Sequence, residues 1–271
     1  VFMGTPDFAV ASLKALVNQS YNIVGVITSV DKPAGRGKKL RQSAVKEYAL
    51  SANLNVLQPP NLKEPNFIEN LKALNADLQI IVAFRMLPEI VWDMPSMGTF
   101  NLHASLLPQY RGAAPINHVI INGELKTGLT TFFLDKQIDT GRIIKQIELD
   151  ILKTDNAGSL HDRMMDAGAC LVLETVNLIL NDAVVAKDQI EFIEDEIILN
   201  SAPKIFKDDC KIDWTKDTSQ IYDFNRGMSP YPTAYTNMLL EDGQLIYIKV
   251  FSALAEEMEH RYNIGAIIII D

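Results

Sequence analysis

Apolar positions recur along this chain with two periods, and the change from one to the other divides it. Phe8, Leu13, Leu16 and Val17 fall at helical spacing, behind Thr5 as a helix cap and Pro6 as the first helical residue. Asn22–Thr28 is a short β-branched run. The alternation continues with a helix over Ala44–Ala52, a strand at Asn55–Leu57, a helix over Asn66–Leu74 and a strand at Leu78–Ala83. A strand at Gly98–His103 and a helix over Ala114–Ile121 come next. Two successive strands follow at Leu129–Leu134 and Ile143–Leu149, then a long helical pattern over Ser159–Leu180. Strands alternating with helices predict an α/β fold, a Rossmann-like, mostly parallel sheet with helices on both faces. Val1–Gly4 reads as the tail of a strand entered midway, so residues are expected to precede it.

Past this region the pattern weakens. Residues 183–202 read as a linker with a short strand near Ile190–Ile193. Beyond it Ile212–Trp214, Ala234–Leu239, Leu245–Phe251 and Ala266–Ile270 are strand-like, divided by turns such as Glu241-Asp242-Gly243. Short strands with turns between them predict a small β-barrel of OB-like type. The barrel is expected to be incomplete, because the chain stops directly after an apolar run. The expected division is a catalytic unit over 1–182, a linker over 183–202 and a C-terminal β-domain over 203–271.

With 271 residues, 48% of them hydrophobic, the chain can bury a substantial core. It holds neither an apolar run of membrane-spanning length nor a secretory leader pattern, so a cytoplasmic protein is expected. Cys170 and Cys210 stand far apart without metal-ligand spacing and read as reduced thiols. A net charge of −9 argues against a general nucleic-acid binder. The charge is uneven, however. Lys32, Arg36, Lys38, Lys39, Arg41 and Lys46 lie together with only Asp31 among them, and such a patch can bind phosphate on an acidic molecule.

The chemistry is concentrated between Asn101 and Gly141. On a strand Asn101 and His103 point to one face, because side chains alternate with period two. Pro108 and the Tyr-Arg-Gly-Ala-Ala after it end that strand, and open α/β sheets bind ligands beyond the carboxyl ends of their strands. Asp139, in Ile138-Asp139-Thr140-Gly141, offers a carboxylate. It could equally hold its own turn, and Asp135 is a rival in the same turn. His118 and His161 lie in helical patterns and read as packed or solvated. Asparagine, histidine and aspartate together provide a neutral donor, a titratable base and a carboxylate, which suffice for acyl transfer without a covalent intermediate or a metal.

Asn101-Leu-His103, Ser105-Leu106-Leu107-Pro108, Tyr110-Arg111-Gly112-Ala113-Ala114-Pro115 and Asp139-Thr140-Gly141 together resemble the 10-formyltetrahydrofolate-dependent formyltransferases. Gly4-Thr5-Pro6-Asp7-Phe8, Pro33-Ala34-Gly35-Arg36-Gly37-Lys38-Lys39-Leu40 and Asn225-Arg226-Gly227-Met228-Ser229-Pro230-Tyr231-Pro232 are similar to the branch that acts on methionyl-tRNA. The resemblance runs over essentially the whole chain. It implies 10-formyltetrahydrofolate as formyl donor, the α-amine of initiator methionyl-tRNA as acceptor, and no metal. It also implies Asn101, His103 and Asp139 as the catalytic set, with Ser105, Leu106, Leu107 and Pro108 contacting the folate. Ala83-Phe84-Arg85-Met86-Leu87-Pro88, the counterpart of a segment lining the pterin pocket in relatives, is one residue shorter than the family pattern.

The basic loop has two readings. A solvated surface loop is one; by the resemblance, Arg36, Lys38 and Lys39 clamp the tRNA acceptor end, with the salt dependence of phosphate neutralisation. Two rivals remain beside methionyl-tRNA formylation. A sugar-nucleotide N-formyltransferase would use the same donor, and a non-enzymatic RNA-binding module would use only the loop. A nucleotide-binding dehydrogenase is disfavoured, since no GxGxxG follows the first strand. The protein is expected to be a monomer.

Overall fold

The computed structural model describes residues 1–34, 39–193, 198–240, 242–256, 259 and 261–266. The elements run β1 (Phe2–Gly4), α1 (Asp7–Asn18), β2 (Val26–Ile27), β3 (Lys32–Ala34), β4 (Lys39–Arg41), α2 (Ala44–Ser51), β5 (Val56–Leu57), α3 (Pro65–Ala73) and β6 (Gln79–Val82). There follow α4 (Glu89–Trp92), β7 (Thr99–His103), β8 (Arg111–Gly112), α5 (Pro115–Ile121), β9 (Lys126–Phe133), β10 (Ile143–Asp150) and α6 (Ala157–Leu180). Last come β11 (Ser201–Ala202), α7 (Thr218–Met228), β12 (Ala234–Leu239) and β13 (Leu245–Val250).

Seven strands form one sheet in the order β10-β9-β7-β6-β1-β2-β5. β5, β2, β1, β6 and β7 are parallel, and β9 turns antiparallel against β7, with β10 antiparallel to β9. The order reverses between β1 and β6, which opens a crevice at their carboxyl ends. The Rossmann-like sheet expected from the alternation is therefore present.

Each strand sends alternate residues to opposite faces. Phe2, Ile80, Val82, Phe100 and Leu102 pack on one face beneath α1, α2 and α6, joined by Leu13, Leu16, Leu160 and Val172. Met3, Ile27 and Ile81 face the other way, against Phe67 and Leu71 of α3 and Val91 of α4. Asn101 sits in register with Ile81 and so belongs to this second face. A polar residue stands there where the neighbouring strands place apolar ones.

α1 begins at Asp7 with Pro6 in the cap position, one residue later than the Thr5 cap predicted. α6 starts with a reciprocal capping box, Asn156 Oδ1 accepting from Ser159 N at 2.9 Å and Ser159 Oγ accepting from Asn156 N at 3.0 Å. The basic stretch forms a β3–β4 hairpin at its base. Asp31 anchors it, its carboxylate taking hydrogen bonds from Lys46 Nζ at 2.6 Å and Gln58 Nε2 at 2.8 Å. Those bonds hold the Asp31 carboxyl below the usual carboxylate range. Arg36 and Lys38 lie outside the described residues, and Lys39 opens β4.

The second half departs from expectation in three places. Residues 189–192 form a 3-10 turn rather than a strand. Ile212–Trp214 forms no strand; the residue before it, Lys211, makes a single bridge to Tyr235. Most importantly, a helix, α7, stands where none was expected; among the described residues β12 and β13 form a two-stranded sheet and no barrel closes, in keeping with the incomplete one expected. The Asp217–Gln220 capping box starts α7. Its Met228 joins Cys210, Ile212, Ala234 and Tyr235 in a small core of their own, with Ile221 and Phe224 packed against it. Ile267–Ile270 lie outside the described residues. No helix among the described residues is long and apolar enough to cross a membrane.

Candidate active site

A cleft of about 1030 Å³ opens at the carboxyl ends of β1, β6 and β7. Asn101 and His103 lie in its lining, as does Asp139 from the turn after β9. Asn101 and His103 thus share one cleft as the strand argument expects, and Asp139 lines it beside them as the resemblance implies. Asn101 Oδ1 is buried and has no hydrogen-bond partner among the described residues. A buried polar group left without a partner is costly, and this one faces a cleft where a ligand can supply the missing bond.

His103 is 6% exposed. Its Nε2 lies 3.0 Å from the carbonyl oxygen of Tyr110. A carbonyl only accepts, so Nε2 carries the proton and Nδ1 is left to gain or lose one. Nδ1 lies 3.9 Å from Asp139 Oδ2. That is too long for a direct hydrogen bond, yet close enough to stabilise an imidazolium. The carbonyl that holds the ring is itself held. Tyr110 N donates to Asn200 O at 2.7 Å, and the Tyr110 hydroxyl donates to Glu124 Oε1 at 2.5 Å. Burial, and then the Glu124 bond, push this phenol well above the usual tyrosine range, so it remains a donor.

The two turn carboxylates differ in their partners. Asp135 accepts from Thr140 Oγ1 at 2.7 and 2.9 Å and from Gln137 N at 3.0 Å, closing the turn itself. Asp139 is thereby free of turn duty. It adopts φ +55°, and its Oδ2 accepts from Gly112 N at 3.0 Å. Ala83 (φ +47°) and Tyr110 (φ +59°) are also left-handed. Each such residue costs of order 1–3 kcal/mol and is held only where surrounding contacts enforce it.

Ser105, Leu106, Leu107 and Pro108 do not line this cleft. Their groups are spent on the neighbouring strands. Ser105 O accepts from Thr130 Oγ1 at 2.7 Å, Leu107 N donates to the same oxygen at 3.1 Å, and Leu107 O accepts from Gln146 Nε2 at 2.7 Å. Leu107 is buried with Phe132 and Ile143. The segment ties the end of β7 to β9 and β10, directly behind His103.

The other wall of the cleft is apolar. Phe84, Leu87, Trp92 and Leu134 line it, next to the exposed Met86. The short Ala83–Pro88 segment therefore faces the cleft. Arg85 braces it, donating from Nη1 to Pro60 O at 2.8 Å and from Nη2 to Pro59 O. An apolar slot of this kind suits a flat heteroaromatic ring.

Three contributions were not legible in the sequence. His161 lines the cleft, with its ring 5.2 Å from that of Phe8, though its helical spacing marked it as merely packed or solvated. Arg111 and Gln189 support the Asp139 turn from outside the cleft. The Gly112–Asp139 bond depends on backbone that no motif displays. His118 does not line the cleft, its Nε2 donating to Pro203 O at 3.0 Å. No group of three or more His, Cys, Asp and Glu among the described residues is arranged to hold a metal.

Residues 1–176 match the family described as formyl transferase, and residues 204–271 match the formyl transferase C-terminal domain. The chain is 58% identical over 268 residues to a methionyl-tRNA formyltransferase of Parabacteroides distasonis, covering 98% of this chain and 83% of that protein. A methionyl-tRNA formyltransferase of Flavobacterium johnsoniae is 53% identical over 268 residues, covering 99% and 84%. A sugar N-formyltransferase from a Shewanella species superposes with a TM-score of 0.66 at 17% identity, over 94% of this chain and 98% of that one. That likeness concerns the fold alone. With both halves matched and relatives this similar over nearly the whole length, the chain belongs to the formyl transferase family.

Proposed function

We propose that this protein transfers a formyl group from 10-formyltetrahydrofolate to the α-amine of initiator methionyl-tRNA. The observation that carries this reading is the identity of 52–58% to methionyl-tRNA formyltransferases over 98–99% of the chain. Sugar N-formyltransferases resemble it only at 17–22% identity, which concerns the fold and not the acceptor.

The geometry supports a direct transfer. Attack of the amine on the formyl carbon builds negative charge on the formyl oxygen, and Asn101, which lines that cleft, carries the Nδ2 hydrogens that would donate to it. His103, its Nε2–H fixed on Tyr110, can offer a proton from Nδ1 or take one there. Asp139 stabilises the charged ring or receives the amine proton through water. The apolar wall of Phe84, Leu87 and Trp92 would hold the donor's ring system. Ser105, Leu106, Leu107 and Pro108, assigned to the folate by resemblance, act in this reading from behind, by fixing where His103 stands.

In the same reading residues 1–182 are the catalytic unit, 183–202 connect it, and 203–271 with the loop of Arg36, Lys38 and Lys39 grip the tRNA. The protein works in the cytoplasm as a monomer.

Purified protein supplied with 10-formyltetrahydrofolate is expected to formylate methionyl-tRNA and leave amino-sugar nucleotides unchanged, as read by formyl-methionine release on deacylation. Sugar formylation without tRNA formylation would refute the assignment. Arg36→Ala combined with Lys38→Ala is expected to weaken tRNA binding. It should also flatten the salt dependence by roughly 2 units of log–log slope for two lost phosphate contacts. Unchanged affinity and slope would remove the clamp.

A further inference from the structure

We infer that Gln189 is a positioning residue for formyl transfer, holding the Asp139 turn at the height that sets the carboxylate against His103. The inference rests on the reading of Asp139 and His103 given above. Gln189 lies in the segment between the two halves and is 4% exposed. Its Nε2 donates to Asp139 O at 2.8 Å and to Gly141 O at 2.9 Å. Its Oε1 accepts from Arg111 Nε at 3.0 Å and Nη2 at 2.6 Å.

Every one of these partners fixes the orientation of the amide. Carbonyl oxygens only accept and a guanidinium only donates, so the carboxamide fits in one sense and all four of its bonds are made. It therefore clasps two elements together. One is the turn whose Asp139 stands in a left-handed conformation that local sterics disfavour. The other is β8, whose Gly112 N donates 3.0 Å to the Asp139 carboxylate itself. Arg111 and Gly112 are adjacent, so Gln189 sets the acceptor and the donor of that bond at once. The residue is carried on the 3-10 turn Gln189–Phe192, braced by a capping box in which Asp188 N donates to Glu191 Oε1 at 3.0 Å.

The test uses Gln189→Glu and Gln189→Met, both close to the original in size. Gln189→Glu keeps an acceptor for Arg111 but presents oxygen to the two carbonyls, whereas Gln189→Met loses both sets of bonds. Both are expected to lower kcat, towards the roughly 10²-fold that a misplacement of about 1 Å can cost, while KM for each substrate changes far less. Amide hydrogen exchange at Gly112 is expected to accelerate in both. That readout needs no substrate, so it judges the inference even if methionyl-tRNA proves not to be the acceptor. A purely structural residue would lower the melting temperature and leave kcat below that temperature untouched. Wild-type kcat and Gly112 exchange in a folded Gln189→Glu would overturn the inference, as the Arg111 contact alone would then suffice. Should Gln189→Met fail to fold, Gln189→Glu decides the matter by itself.

Discussion

Asn101→Ala is expected to reduce kcat for formyl transfer by roughly 10²–10³-fold, about 3–4 kcal/mol of transition-state stabilisation, with little change in melting temperature. The amide makes no hydrogen bond through Oδ1 to the described protein, so its removal leaves no internal partner orphaned. Its neighbours on the sheet, Ile81 and Phe132, keep their packing. The whole loss should therefore fall on the chemistry. His103→Ala is the less clean experiment, because it strips the Tyr110 carbonyl of its donor and so costs stability as well. Single-turnover kinetics with saturating donor, alongside a thermal melt, separate the two effects. Near-normal turnover in Asn101→Ala would remove the residue from the mechanism.

Gly141→Ala should be the most damaging glycine-to-alanine change among the described residues. A Cβ at that position would stand 1.7 Å from the carbonyl oxygen of Phe133. Both sides of the clash are backbone, so no side-chain rotation relieves it. Phe133 is tied to its partner strand by its N–H to Arg142 O at 3.0 Å, and Gly141 O receives Gln189 Nε2. Accommodating the methyl means prising β9 from the residues entering β10 and breaking those bonds. Roughly 3 kcal/mol or more of stability should be lost, at the upper end of what overpacking costs. In a chain of this size that lowers the melting temperature by about 6 °C or more. Activity should fall further than stability, since Asp139 is two residues away. A melt within about 1 °C of the wild type would contradict the close approach described here.

The parts of this architecture that could be read in advance are those written in local periodicity. The Asn101–His103 pair was placed at a strand end because side chains alternate and Pro108 forbids continuation. Both features hold in β7, which ends at His103. The helices α2, α3 and α6 fall within two residues of the apolar spacing that predicts them. What could not be read is set by contacts distant in sequence. Only the bond from Thr140 to Asp135 shows which carboxylate of the turn holds it, and the two aspartates look alike in sequence. Ile190–Ile193 has the composition of a strand, but Gln189 is drawn inward by Arg111 and the Asp139 turn, and the chain coils to follow it. In α7 a local signal is present in the capping-box residues Asp217 and Gln220, but the strand-like segments on either side argue for β structure throughout. The Ser105–Pro108 turn is the subtlest case. Its apolar residues are legible, but their burial against β9 and β10, away from the cleft, is tertiary.

The segment between the halves carries a consequence for protein engineering. Lys187 and Ile143 exchange both backbone hydrogen bonds at 2.8 and 2.9 Å, Asn200 receives Tyr110 N, and β11 lies parallel to β8. A chimera that grafts a foreign C-terminal module after Leu180 would discard all of these together with Gln189, leaving the His103 and Asp139 supports open to solvent. Ala202 is part of the same belt, its carbonyl receiving Ala114 N at 3.2 Å, and α7 beyond it is tied to α5 by Asn117 Nδ2 donating to Gly227 O at 2.8 Å. In inheritance as in the laboratory, exchanging the C-terminal part would keep the cleft's supports only if this belt of residues stays with the first half.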